Sequence, residues 1–159
     1  EKMIESGGKR IVNVASMAYR FIKKINFDDL QSKKGYAPMK VYGQSKMANI
    51  LFTKSLANKL ESKGITANCL HPGFVGTGIG SNNKGKWQYI FKLASVFAKK
   101  TDKGAETSIY LCSSPEVEKI SGEYFVDCKI DELIGSVKSA EQAEKLWSVS
   151  SELTGVDLN

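Results

Sequence analysis

The sequence holds one histidine, three cysteines and three prolines among its 159 residues. A single histidine excludes a two-histidine metal site. Cys69, Cys112 and Cys128 lie far apart with no CxxC pair, which argues against zinc and against a disulfide framework and suits a reducing compartment. No metal is expected, and the setting expected is cytoplasmic, with membrane association through a missing N-terminus as the alternative. No apolar run approaches the ~18 residues of a membrane-spanning helix, and no signal-peptide pattern opens the chain. Repeats and low-complexity tracts are missing too. With 42% apolar and 25% charged residues, a packed globular core is expected and wholesale disorder is not. Lysine and arginine number 23 against 17 acidic residues, a net charge of +6. That balance favours anionic partners: nucleic acid, phosphorylated cofactors or acidic lipid headgroups. The lysines form scattered pairs (Lys23–Lys24, Lys33–Lys34, Lys99–Lys100) without a long basic run or a nucleic-acid module, so nucleic acid is not an expected partner.

Short β-branched runs alternate with helical periods. Arg10–Ala15 reads as a buried strand introduced by the turn-forming Ser6-Gly7-Gly8. Residues 16 to about 39, with Gly35 and Pro38, read as a long loop, a feature that usually carries function or motion. Over residues 41–63 the pattern turns helical. Ala48, Phe52, Leu56 and Leu60 recur every four residues as the expected core stripe, and Gly64 supplies the stop. Ile65–Leu70 predicts a second strand, broken by Pro72-Gly73. Residues 87–97 fit a short amphipathic helix and Asp102–Ser113 a further one, halted by Pro115. Gly122–Asp127 predicts a third strand, and Ser136–Leu153 a last helix with Ala140, Ala143 and Trp147 on one stripe. Strands alternating with helices predict parallel pairing through right-handed crossovers, hence an α/β layered sheet. Three strands are few for that architecture, as in part of a larger doubly wound fold.

Tyr42-Gly43-Gln44-Ser45-Lys46 opens the long helix. Positions i and i+4 share a helix face, so phenol and ammonium project together. A free phenol titrates near pH 10, and bringing it to about 7 takes roughly 4 kcal/mol of preferential phenolate stabilisation. One cation at about 4 Å supplies roughly that much at an effective dielectric of 20. The pair is thus a plausible proton-transfer device. The spacing alone is weak, because Tyr19…Lys23 and Tyr36…Lys40 repeat it. The first falls in the loop and the second contains Pro38; only Tyr42…Lys46 heads an unbroken helical pattern. Ser16 ends the first strand, where parallel sheets place ligands, though a turn or helix-cap serine fits the same position. Pro72-Gly73-Phe74-Val75-Gly76-Thr77 follows the second strand. It reads either as a plain connection or as a loop whose backbone N–H groups approach a ligand closely. His71 reads as a packed strand-end side chain.

Together, Ser16, Tyr42 with Lys46, and the Pro-Gly-x-Val-x-Thr loop occur in the order and context of the short-chain dehydrogenase/reductase family, which the sequence resembles along essentially its whole length. RIVNVAS, YGQSKMANILF, NCLHPGFVGT, the Gly104-Ala105-Glu106-Thr107 helix start and SGEYFVDCK are similar to the retinol-dehydrogenase-like branch, as is the long interval between Ser16 and Tyr42. The resemblance implies a Rossmann-like parallel sheet with helices on both faces, of which residues 1–159 form the C-terminal part, with three strands. By the same resemblance, Tyr42 exchanges a proton with the substrate oxygen, while Lys46 favours the phenolate and binds the nicotinamide ribose. Ser16 holds the substrate oxygen. Pro72, Gly73, Val75 and Thr77 contact the cofactor, which the branch resemblance makes NADP, with NAD as the alternative.

The family's glycine-rich phosphate turn, its Asn-Asn-Ala-Gly strand and its helix asparagine have no counterpart, and Gly76-Thr77-Gly78-Ile79-Gly80 lacks the phosphate-turn spacing. Asn13 lies inside the first strand and is no substitute. The expectation is therefore a C-terminal half of a reductase about twice as long, which needs an N-terminal half for its full cofactor site. Residues 81–103, with Trp87, Phe91 and Phe97, would form a lid over an apolar carbonyl or alcohol substrate, retinal-like or another lipid carbonyl. The same residues suit packing on the core or on a second subunit, so a homo-oligomer is also open. The competing expectation is a non-catalytic half-domain that serves as an interaction module.

Overall fold

Arg10–Val14 (β1) and Thr66–His71 (β2), half-buried or buried except for the exposed Val14, pair in parallel, with Arg10 opposite Thr66 and Val14 opposite Leu70. The computed structural model describes residues 2–73 and 101–156 of the chain. Around β1 and β2 it orders a short N-terminal helix α1 (Lys2–Glu5), α2 (Pro38–Leu60), α3 (Thr101–Ser113), β3 (Tyr124–Val126), β4 (Lys129–Ile130) and α4 (Ala140–Thr154). The sheet order is β1-β2-β3-β4, with β3 parallel to β2 and β4 antiparallel to β3. The α/β sheet with mainly parallel pairing is as expected. The fourth strand is not: the expected strand Gly122–Asp127 narrows to β3, and the chain turns back into β4 at Asp127 and Cys128, both in the left-handed region at φ 47° and 61°. Two such residues make the tight turn that matches strand twist, a conformation usually taken by Asn-Gly or Asp-Gly.

Alternation along the strands divides the core into two layers. Cys69 and Tyr124 face Met47, Ile50 and Leu51 of α2 and Leu146 of α4. Leu70, Phe125 and Val12 face Leu111 and Tyr110 of α3. Helices thus cover both faces, as a mainly parallel sheet requires.

Pro38 takes the first position of α2, three residues ahead of the expected start, where its missing N–H costs nothing. The helix ends in a further 3₁₀ turn closed by Gly64 at φ +65°. Its buried stripe differs from the expected one. Met47, Ile50 and Leu51 lie against the sheet and Leu56, Ala57 and Leu60 beneath α4, whereas Phe52 is 39% exposed and stacks on Trp147 of α4 at 5.4 Å. A helix packed on a sheet and on another helix buries two stripes, and a four-residue recurrence follows only one of them. In α4, Ala143, Leu146 and Trp147 are buried and Ala140 is exposed, because the segment before Ala140 is a separate 3₁₀ turn, Gly135–Lys138.

The interval after Ser16 carries more structure than a loop. Met17–Phe21 and Phe27–Asp29 form 3₁₀ turns, and Tyr19 and Ile25 enter the main core cluster. The Tyr19 ring meets Tyr124 edge-on at 5.6 Å, and its hydroxyl accepts the Ile134 N–H at 3.3 Å.

Candidate active site

Parallel α/β sheets hold ligands beyond the carboxyl ends of their strands, and Ser16, Lys46, Pro72 and Gly73 are found at the ends of β1 and β2. The Ala15 N–H donates to the Leu70 carbonyl at 2.8 Å, so β1 and β2 reach that rim side by side. Ser16 is the next residue, buried and in extended backbone. It caps the Met17–Phe21 turn, its Oγ accepting the Ala18 N–H at 3.2 Å. The cap reading of Ser16 is therefore met in full, and it leaves the hydroxyl proton free to donate.

Tyr42 and Lys46 lie one turn apart near the start of α2, both half-buried, with the Lys46 ammonium 5.6 Å from the centre of the Tyr42 ring. Lys46 Nζ also donates to the Val14 carbonyl at 3.3 Å, which places it two residues from Ser16 along the chain. The other two Tyr-x-x-x-Lys matches do not share this setting. Tyr19 is buried in the core, and Tyr36 lies exposed before the helix begins.

The same carbonyl accepts a second bond, from Asn49 Nδ2 at 3.1 Å. One turn further, Thr53 accepts from Asn13 Nδ2 at 2.9 Å and donates to the Asn49 carbonyl at 2.7 Å. Residues 42, 46, 49 and 53 are thus one face of α2, laid along β1 and fixed to it by side-chain hydrogen bonds. Sequence reading passed over Asn49 and Thr53. Their offsets from Tyr42, seven and eleven, continue the face and were available as a signal. Asn13 has the role of a strut between β1 and α2.

Gly43 sits between the two catalytic candidates. A Cβ there would lie 2.8 Å from the Ala18 carbonyl oxygen and 2.8 Å from Cγ1 of Ile22. Contact that close lets the turn following Ser16 seat directly on α2. Gln44 holds the far part of the interval, its Oε1 accepting the Asn26 N–H at 3.1 Å.

Pro72 and Gly73 follow β2 at the same rim, with Gly73 at φ +79°, a conformation natural to glycine. Val75, Thr77 and residues 81–100 of the expected lid lie outside the described residues, and residues 101–103 belong to the first turn of α3.

Comparison with known proteins agrees with this geometry. Residues 2–128 match the family model described as enoyl-(acyl carrier protein) reductase. The chain is 46% identical over 154 residues to retinol dehydrogenase 14 of Homo sapiens, covering 95% of this chain and 46% of that protein. It is 41% identical over 156 residues to retinol dehydrogenase 12 of Mus musculus, covering 98% and 49%. The chain thus spans about half the length of the curated relatives it matches. A crystal structure of an uncharacterised protein from Mycobacterium paratuberculosis superposes with a TM-score of 0.65 at 26% identity, over 95% of this chain and 52% of that one. A strand-end serine and a Tyr-Lys helix bound to the end of β1, on a Rossmann-like sheet with these relatives, lead to one assignment: the chain belongs to the short-chain dehydrogenase/reductase family and resembles its retinol dehydrogenases.

Proposed function

We propose that this chain carries the proton-transfer half of an oxidoreductase that moves a hydride between a nicotinamide cofactor, NADP or else NAD, and an apolar aldehyde, ketone or alcohol. The observation that supports it best is the convergence of Lys46 and Asn49 on the Val14 carbonyl, with Tyr42 on the same helix face and Ser16 two residues beyond. Two side chains on one backbone oxygen hold the Lys46 ammonium beside the Tyr42 ring.

The residues present fit the nicotinamide end of such a cofactor. The rim of β1 and β2 offers an ammonium at Lys46 and, at Gly73, a left-handed backbone without a side chain. The bound nicotinamide supplies or receives the hydride. Tyr42 gives its hydroxyl proton to the substrate oxygen in reduction and takes one back in oxidation. Lys46 offers positive charge to the phenolate left behind. Ser16 donates a hydrogen bond to the same substrate oxygen and keeps its proton, its own oxygen oriented by the Ala18 N–H. By the family resemblance, Pro72, Gly73, Val75 and Thr77 would contact the cofactor. No diphosphate site is assigned within residues 1–159, since the glycines at 76, 78 and 80 lack the spacing of a phosphate turn. The substrate is a small apolar carbonyl or alcohol, retinal-like or another lipid carbonyl, with no nucleic acid involved and a homo-oligomer compatible with the fold.

The test is NADPH-dependent reduction of retinal by a protein of the relatives' full length that carries this chain. Tyr42→Phe should lower kcat about a hundredfold or more, with NADPH binding retained. A Tyr42→Phe protein that reduces retinal at the wild-type rate removes the assignment. A second reading, a non-catalytic interaction module, draws support from one feature: among the described residues no strand pairs with the outer edge of β1.

A further inference from the structure

We propose that the segment joining Ser16 to Tyr42 docks the protein on a membrane surface rich in anionic phospholipid. The inference rests on that surface alone and goes beyond the catalytic reading. Residues 17–41 contain six basic and two acidic side chains, a net +4 within a chain whose total is +6. That sum already counts the two acidic side chains, Asp28 and Asp29. Both carboxylate oxygens of Asp29 accept backbone N–H groups of its own loop, from Lys33 at 2.8 Å and Lys34 at 3.0 Å. Of the basic groups only Arg20 is spoken for, by Asp131 at 2.8 Å. None of the ion pairs among the described residues involves Lys23, Lys24, Lys34 or Lys40.

These lysines border a groove instead of a featureless face. Two adjoining cavities of about 540 and 250 Å³ share Asn26, Asp28, Lys40 and Gln44. Phe21, Ile22 and Phe27 line the larger one, between Lys23 and Lys24 on one side and Lys145 of α4 on the other. Lys145 Nζ stands 4.6 Å from the centre of the Phe27 ring. In the smaller cavity Lys34 and Lys40 are balanced by Asp28 and Asp29, so the excess positive charge lies along the larger one. Phe21 and Tyr36, 71% and 74% exposed, are the most exposed large apolar side chains among the described residues, and both belong to this segment.

Lysines beside exposed aromatics match a particular chemistry. A bilayer surface places phosphate next to acyl chain, so ammonium groups meet headgroups while an aromatic ring enters the boundary beneath them. A duplex nucleic acid, its bases already stacked, or an acidic polysaccharide would satisfy the lysines and leave Phe21 in water. No helix among the described residues is long and apolar enough to cross a membrane, so the contact proposed is peripheral.

Sedimentation of the chain with phosphatidylcholine vesicles, with and without phosphatidylserine, tests this. Binding should require phosphatidylserine and weaken with salt. Lys23→Gln/Lys24→Gln should lower the partition coefficient about 25-fold, and Phe21→Ser about tenfold, with thermal midpoints unchanged. Lys23 meets Ser136 through its backbone carbonyl, a contact that Lys23→Gln leaves in place. Should the double variant lose its midpoint, Lys40→Gln, expected to cost about fivefold, replaces it. No binding, equal binding to neutral vesicles, or binding unmoved by these variants overturns the proposal. So does equal affinity for heparin together with indifference to Phe21→Ser, which would mark a general polyanion surface.

Discussion

At Gly43, helix propensity and function pull in opposite directions. A glycine in a helix interior costs about 1 kcal/mol relative to alanine, yet here a Cβ would press on the Ala18 carbonyl and on Ile22 at 2.8 Å. Gly43→Ala should therefore lower both the thermal midpoint and kcat, by moving the Ser16 turn off α2. Adding Ile22→Ala should restore part of the loss, and turnover in the two variants checks this. Cys69 is informative in another way. Burial, the largest influence, pushes its thiol up to about 12 from an ordinary value of 9.0. Below pH 9 the thiol is protonated in both folded and unfolded chains, and its contribution to stability is intact. Between about pH 9 and 12 the unfolded chain ionises first, so stability falls as pH rises, by at most about 1.4 kcal/mol per pH unit. Burial raises the Tyr124 phenol as well, which adds a fall in the same direction at higher pH. Denaturant midpoints across that range should fall less steeply in Cys69→Ser than in the wild type. Ser16, Tyr42 and Lys46 were legible because each stands in a motif. Gly43 and Asn49 were not, since their roles arise from contacts with residues distant in sequence.

β1 shows how much an element owes to its neighbours. The Thr66 N–H donates to the Lys9 carbonyl, and the Ala15 N–H to the Leu70 carbonyl. In a parallel ladder the odd positions from 9 to 15 therefore face β2, and Arg10, Val12 and Val14 turn their backbone groups to the open edge. There the Val14 carbonyl is satisfied by Lys46 and Asn49. Hydrogen exchange should reveal this alternation, with slow amides at Ile11 and Asn13 and fast ones at Arg10, Val12 and Val14. Uniform protection along β1 would mean that its edge is covered. Strand and helix order were readable from hydrophobic period and from Gly64 and Pro115. The β3–β4 turn was not, because Asp127-Cys128 is an unusual pair for two left-handed residues. Nor were the 3₁₀ turns after Ser16, which depend on Tyr19 and Ile25 reaching a core built from other elements.

Over the whole molecule, a four-stranded sheet covered on both faces brings the ends of β1 and β2 and the start of α2 to one rim. Family and fold class could be read because short motifs coincide with the strand ends that a parallel sheet uses for ligands. The two stripes of α2 could not, since a helix packed on both a sheet and α4 hides its second contact from simple periodicity. The central claim is that Tyr42 and Lys46 work as one proton-transfer unit. A double-mutant cycle on kcat/KM with Tyr42→Phe and Lys46→Ala, in a protein of the relatives' full length, measures that coupling. Each single change should cost about a hundredfold or more, and the double variant no more than about tenfold beyond the worse single. Losses that multiply in full would show two independent residues and contradict the account.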